Sequence, residues 1–230
     1  MPAELFPAFI KLDDRPCLVV GAGSIAASKI ASLLRAGARL TVVAPQAKAE
    51  VATLAAAGNF VWHQREFQSA DLKGVFLAIA ATASNAVNRA VFRAAQKRGI
   101  LCNAVDDPPH CDFYFPAIVR RGDLQIAIST AGESPSVAQR FRREIEASLD
   151  LSLGNWLRFV GSLRRHVLAN HPPSDERKKL LQLLAYSQIC DSKDCKTESR
   201  SIEFAGRHVH LPGNLPENAD VGQPSIQEPQ

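Results

Sequence analysis

The stretch Cys17-Leu-Val-Val-Gly-Ala-Gly-Ser-Ile-Ala26 decides the fold. Four apolar residues run straight into Gly21, as a strand buried on both faces would. From Ser24 to Arg35 the apolar residues Ile25, Ala26, Ile30, Leu33 and Leu34 recur at helical spacing. Gly37 stands where helices commonly stop, and Arg39-Leu-Thr-Val-Val43 reads as a second buried strand. A glycine pattern of the form Gly21-x-Gly23-x-x-Ala26, after a strand and opening a helix, is the phosphate turn of a dinucleotide-binding unit. Gly21 permits the tight turn, Gly23 leaves room for a pyrophosphate, and Ala26 lets helix and strand pack closely. The phosphates belong at the helix N-terminus, on free N–H groups.

Outward from this unit the pattern repeats. Helical spacing over 47–57 ends at Gly58, and Phe60-Val-Trp-His63 reads as a short strand. Val75-Phe-Leu-Ala-Ile-Ala80 and Ile100-Leu-Cys-Asn-Ala-Val105 are further strands, with a helix between them from the Ser84 cap to Lys97. Strands alternating with helices predict a Rossmann-type parallel α/β sheet. After Pro108-Pro109 the rhythm changes. Runs at 113–119 and 124–130 flank the turn Arg121-Gly-Asp123, which predicts an antiparallel hairpin. Pro135 opens a helix to about Leu149, and helical patterns recur at about 153–169 and 174–189. The expected organisation is a nucleotide-binding domain at 1–112, a small antiparallel and helical segment at 113–150, a helical domain at 151–190, and a disordered polar tail at 191–230.

Bulk properties narrow the function. The 230 residues, 46% of them hydrophobic, suffice for a core. A net charge of +4 does not argue for a nucleic-acid partner but suits an anionic small molecule. No run approaches the roughly 20 apolar residues of a membrane span, and the start lacks the pattern of a signal peptide. Five widely spaced cysteines do not read as a disulfide framework, so a reducing cytoplasm is expected.

The strand ends point to the chemistry. After the second strand, where an acid would bind the ribose, stands Val43-Ala-Pro-Gln46, with neither an acid nor an arginine for a 2′-phosphate. Backbone around Pro45 and Gln46 is expected to hold the ribose, with NAD favoured over NADP, and Thr82 is a further candidate contact. The fifth strand runs into Asn103-Ala-Val-Asp-Asp107. Ligands of open α/β sheets bind at the carboxyl ends of the strands, so Asp106 can face a substrate as a general base or merely shape the turn before Pro108. His110, Cys111 and Asp112 are too close in sequence to converge on one ion, and no metal site is expected.

Four motifs in order carry a resemblance: 17–26, Leu-Ala-Ile-Ala-Ala-Thr at 77–82, Cys-Asn-Ala-Val-Asp at 102–106, and Ile-Ser-Thr-Ala-Gly-Glu-Ser-Pro at 128–135. Over about residues 4–165 the chain resembles the dehydrogenase and ferrochelatase module of siroheme synthase. That resemblance implies oxidation of precorrin-2 to sirohydrochlorin with NAD, then insertion of Fe²⁺, which is a substrate rather than a bound cofactor. It implies a homodimer with interlocked C-terminal parts. It makes Asp106 the essential aspartate of both reactions, and carries nucleotide contacts onto Ser24, Ile25, Pro45 and Gln46. Asn103, Thr130, Gly132 and Ser134 fall on segments expected to line the tetrapyrrole cleft, where the family often has serine in place of Thr130. The acetate and propionate groups of precorrin-2 need cations, for which Arg120, Arg121, Arg140, Arg142 and Arg143 are candidates. Many members continue into a methyltransferase domain; here a short polar segment follows, so uroporphyrinogen methylation is not expected. Two alternatives stay open: a dehydrogenase without chelatase activity, and a regulatory NAD-sensing module without chemistry.

Overall fold

A computed structural model describes residues 4–190, 201–204 and 207–210. Its contacts divide the chain into two compact units, each discontinuous in sequence: Met1–Ala117 with Ser129–Ala138, and Ile118–Ile128 with Gln139–Gln230. The segment 113–150 is thus shared between both units.

The first unit is built on β1 (Pro16–Val20), α1 (Ser24–Arg35), β2 (Arg39–Val43), α2 (Ala49–Ala56), β3 (Val61–His63), β4 (Leu77–Ala80), α3 (Asn85–Gln96) and β5 (Leu101–Ala104). The strands form one parallel sheet in the order β3-β2-β1-β4-β5. The order reverses direction beside β1, so the chain winds outward both ways and leaves a crevice at the carboxyl ends of β1 and β4.

The all-apolar reading of the central strands is matched by their burial on both faces. Cys17 and Val19 pack with Ala26, Ile30 and Leu33 of α1, whereas Leu18 and Val20 pack on the opposite face with Val91 and Ala95 of α3. Each fully buried Leu18, Ile30 or Ile79 contributes roughly 1.5–3 kcal/mol. Asn88 is the polar exception on α3, and its partners lie in the cleft described below.

The second unit holds the hairpin of β6 (Ala117–Arg121) and β7 (Leu124–Ile128), most of α4 (Pro135–Ser148), then α5 (Leu153–Asn170) and α6 (Asp175–Leu184). A two-residue connection makes the hairpin antiparallel. Its first strand begins at Ala117 rather than Phe113, directly after Pro116, which has no N–H to give a ladder. Gly122 in the hairpin turn meets Gly154 of α5 so closely that a Cβ on Gly154 would lie 2.9 Å from the Gly122 nitrogen. Leu163 and Val167 of α5 pack with Leu183 and Leu184 of α6.

Two expectations are corrected here. The helix expected over 174–189 ends at Leu184, whose carbonyl accepts the Ser187 hydroxyl at 2.8 Å, and β8 (Gln188–Cys190) follows. Within the segment read as a disordered tail, β9 (Ser201–Phe204) and β10 (Arg207–His210) pair antiparallel with each other, and β10 pairs with β8. Polar composition over forty residues concealed two four-residue stretches, each short enough to be averaged away. The remainder of 191–230 lies outside the described residues.

Gly21 is the residue whose replacement tests this architecture. It has φ +110°, and a Cβ there would lie 2.4 Å from the Ala81 carbonyl oxygen. Gly21→Ala is expected to cost roughly 2–5 kcal/mol, combining backbone strain and overpacking. Urea unfolding followed by far-ultraviolet circular dichroism measures it; a loss below about 1 kcal/mol, within the scatter of ordinary surface changes, would reject the close approach.

Candidate active site

The turn after β1 is drawn over the sheet by two contacts. The Gly21 N–H donates to Val43 O at 2.9 Å, joining β1 to the end of β2. Its missing side chain allows the Ala81–Thr82 backbone, after β4, to close in from the other side. Gly23, the N-cap of α1, has nothing within 4 Å of where a Cβ would stand. The α1 terminus has no side-chain cap and no acid in its first turn. Its free N–H groups and positive dipole end therefore suit an anion.

These segments surround a cleft of about 630 Å³. Gly21, Gly23, Pro45, Gln46 and Thr82 all line it, so five of the seven expected nucleotide residues come together. Ser24 and Ile25 occupy the exposed first turn of α1, next in sequence to the lining. Thr82 differs in detail from the expectation. Its hydroxyl donates to Asn88 Oδ1 at 2.8 Å and accepts from the Ser84 N–H at 3.1 Å, while the Asn88 amide returns a bond to Thr82 O. The side chain thus anchors the loop to α3. Asn88 is buried because this loop needs a partner with both a donor and an acceptor.

Glu66 and Phe67, beyond β3, also line the cleft and were not anticipated. Only strand pairing brings this segment beside Pro45. The neighbouring Arg65 is engaged elsewhere, in a two-pronged pair with Asp71 at 2.9 and 2.6 Å. That hydrogen-bonded pair holds the Asp71 carboxyl below its usual range.

At the end of β5 the backbone turns sharply. Asp106 has φ +60°, a left-handed conformation that aspartate tolerates better than most residues. Its carboxylate is exposed and accepts no hydrogen bond among the described residues. Asp107, by contrast, is buried. Arg89 of α3 donates through Nε to one oxygen at 2.7 Å, and His110 Nδ1 lies 3.0 Å from the other, positioned to pair when protonated. The Arg89 hydrogen bond, then that of His110, holds the Asp107 carboxyl below its usual range. The two adjacent aspartates therefore divide the work: Asp107 clamps the turn and Asp106 is presented to solvent.

Asn103 is turned inward. It is buried, and its amide donates to Phe113 O at 2.7 Å and toward Cys111 Sγ at 3.3 Å. Its side chain holds the 111–113 segment against β5. Asp112 accepts from the Cys102 N–H and from Gln96 Nε2 at 2.8 and 2.6 Å. Cys111 and Asp112 are thus held by partners around the turn, and His110 faces the Asp107 carboxylate. Burial pushes the Cys17 thiol up to about 11 and, chiefly, the Cys102 thiol up to about 12, so neither is a ready nucleophile.

The segment 130–134 forms a tight exposed turn. Thr130 Oγ1 donates to Ser134 O at 3.1 Å, and Ser134 Oγ accepts from the Val137 N–H at 3.3 Å, capping α4. Ala131 and Gly132 have φ +51° and +90°. Arg140, in the second unit, lies over the Phe141 ring at 4.9 Å and 3.4 Å from Glu144. Arg121 and Arg142 are both engaged by Glu146. Arg140 and Arg143 on α4 remain exposed.

Comparison with known proteins yields concordant matches. An NAD(P)-binding family model matches residues 8–117, and the model of the sirohaem biosynthesis protein central region matches 121–148. Siroheme synthase of Photorhabdus laumondii is 45% identical over 164 residues, covering 71% of this chain and 35% of that protein. Siroheme synthase of Neisseria meningitidis serogroup C is 43% identical over 225 residues, covering 94% and 47%. The chain thus spans less than half the length of these relatives. The solved structure of SirC, a precorrin-2 dehydrogenase, superposes with a TM-score of 0.68 at 30% identity, covering 77% of this chain and 87% of that one.

The Asp107 clamp has a pH signature. A carboxyl whose folded pKa is depressed contributes stability above its unfolded value, and that contribution disappears as pH falls through the folded value. Asp107→Asn is expected to melt below the wild type at pH 7, with the gap narrowing once pH falls below about 4. Paired thermal melts from pH 7 to pH 2.5 read this directly, and a gap that does not change with pH would remove the ionic clamp.

Proposed function

The chain belongs to the precorrin-2 dehydrogenase and siroheme synthase family, and on that premise we propose that it oxidises precorrin-2 to sirohydrochlorin with NAD. The observation that supports this most is the presentation of Asp106. An exposed carboxylate stands on a left-handed turn at the end of β5, in the same sheet whose neighbouring strand ends line the nucleotide cleft.

The cleft fits a dinucleotide: an open approach at Gly23, an uncapped helix start, and room of about 630 Å³. Bound NAD supplies the hydride acceptor. Gly21 and Gly23 admit the pyrophosphate, and the first turn of α1, with Ser24 and Ile25, offers it N–H groups. Pro45 and Gln46 border the ribose. Glu66 lining the cleft, and Arg65 spent on Asp71, favour NAD over a cofactor bearing a 2′-phosphate. For each hydride that leaves precorrin-2, one proton must also leave, and an Asp106 carboxylate oxygen receives it.

The same carboxylate suits a second reaction. When Fe²⁺ enters sirohydrochlorin as a substrate, two pyrrole N–H protons depart, and Asp106 can accept them or guide the ion through its hard oxygen. The siroheme synthase relatives favour this step. The reading further includes a homodimer and a cytoplasmic setting, in keeping with the free thiols of Cys17, Cys102 and Cys111. Among the described residues no helix is long and apolar enough to cross a membrane.

Asp106→Ala is the decisive variant. We expect it to lose precorrin-2 oxidation, followed as an absorbance time course with NAD, by at least about a hundredfold. NAD affinity, measured calorimetrically, should remain within about twofold, because Asp106 lies outside the cleft lining. Undiminished turnover by the variant would overturn its role. Sirohydrochlorin and Fe²⁺ without NAD separate the bifunctional enzyme from a dehydrogenase alone. NAD binding by the wild type with no tetrapyrrole turnover would point instead to a sensing module.

A further inference from the structure

Lys29 lies on α1, between the buried Ala26 and Ile30, and is itself half-buried. Nothing in the sequence marks it, since one lysine on an amphipathic helix reads as part of a solvated edge. In the folded unit its surroundings are unusual for a lysine. Its Nζ stands 3.7 Å from the centroid of the Phe115 ring. Among the described residues no carboxylate lies within ion-pair distance of it, although Asp106 is near enough to be felt electrostatically. Burial pulls the ammonium below its usual range, and Asp106 pulls it back up.

The platform under Lys29 is an exposed ring, but an anchored one. Phe115 packs edge-on against Phe113, with centroids 5.5 Å apart. The Phe113 carbonyl is held by Asn103 of β5 at 2.7 Å. The strand that leads into the Asp106 turn therefore also anchors the aromatic pair that carries the Lys29 ammonium. A cation from α1 and a carboxylate from β5 are brought to one place without being spent on each other. An ammonium partly removed from water and facing only a ring is undersatisfied. An incoming carboxylate would give it a charge-assisted hydrogen bond, stronger than the contact with the ring.

Resting on the reading that the substrate is a polycarboxylate tetrapyrrole, we propose that Lys29 is a positioning residue that takes one acetate or propionate group and thereby sets the macrocycle against Asp106. Lys29 acts only as a hydrogen-bond donor and countercharge; no covalent bond is made or broken at it. The cation sits on the helix that also opens the nucleotide cleft, within electrostatic reach of Asp106. Arg121 and Arg142, two of the candidate arginines, are already bound to Glu146.

Lys29→Met removes the charge and keeps a similar length, and Lys29→Arg keeps the charge on a slightly longer side chain. Sirohydrochlorin binding is titrated by absorbance, NAD binding by calorimetry, and precorrin-2 oxidation is resolved into KM and kcat. Loss of a charged hydrogen bond predicts sirohydrochlorin binding and KM weakened roughly tenfold to a hundredfold in Lys29→Met. NAD affinity should be unchanged, and Lys29→Arg should recover most of the loss. Wild-type tetrapyrrole affinity in Lys29→Met would overturn the assignment and leave the proposed reaction intact. A parallel fall in NAD affinity would overturn it too, by showing that α1 itself was disturbed. A wild type that binds no tetrapyrrole would reject the proposed function, and Lys29 with it.

Discussion

At Gly21 the chain after β1 approaches the chain after β4 so closely that no side chain fits between them. The Gly21 N–H is at the same time bonded to the end of β2. Three strand ends are thereby drawn to one point, and everything placed around the cleft depends on that approach. Gly23 can stand open and the start of α1 can stay uncapped because the turn is held from below by Gly21. A nucleotide turn of this kind is anchored by one glycine and opened by the other.

The same division between holding and presenting recurs at the end of β5. Asp107 is buried and clamped by Arg89 and His110, whereas Asp106, one residue earlier, is exposed on a left-handed backbone. Asn103 and Phe113 extend the clamp to the aromatic pair beneath Lys29. An exposed carboxylate on a turn is only as well placed as the turn. Here the side chains that fix it are hydrogen-bonded and drawn from both β5 and α3: Asn103 is buried, and the more exposed Arg89 reaches in to the buried Asp107. Residues that a motif reading groups together, Asn103 and Asp106, thus serve different ends because Asn103 lies within β5, buried, whereas Asp106 lies past its end on a left-handed turn.

No acid follows β2, but one enters the cleft lining from the segment after the next strand. Glu66 reaches the same cleft from beyond β3, and the adjacent arginine is withdrawn into a pair with Asp71. The 130–134 turn shows the opposite economy. Its hydroxyls, conspicuous in the sequence, are largely occupied by the turn itself and by the cap of α4.

From the sequence alone came the parallel sheet, the glycine turn, the boundaries of most helices, and the position of Asp106 at a strand end. These are local quantities: hydrophobic period, glycine placement and capping act over a few residues and survive being read one segment at a time. Tertiary structure alone decided which polar groups were free. Thr82 and Asn103 looked available and are bound, while Glu66 looked ordinary and lines the cleft, and Lys29 looked ordinary and lies half-buried over Phe115. Pairing of β3 with β2 brings Glu66 to the cleft, and packing of α1 over the sheet brings Lys29 to Phe115. The strands at 201–204 and 207–210 likewise owe their place to pairing with each other and with 188–190. A side chain's partners are set by contacts far apart along the chain, and no local pattern records them.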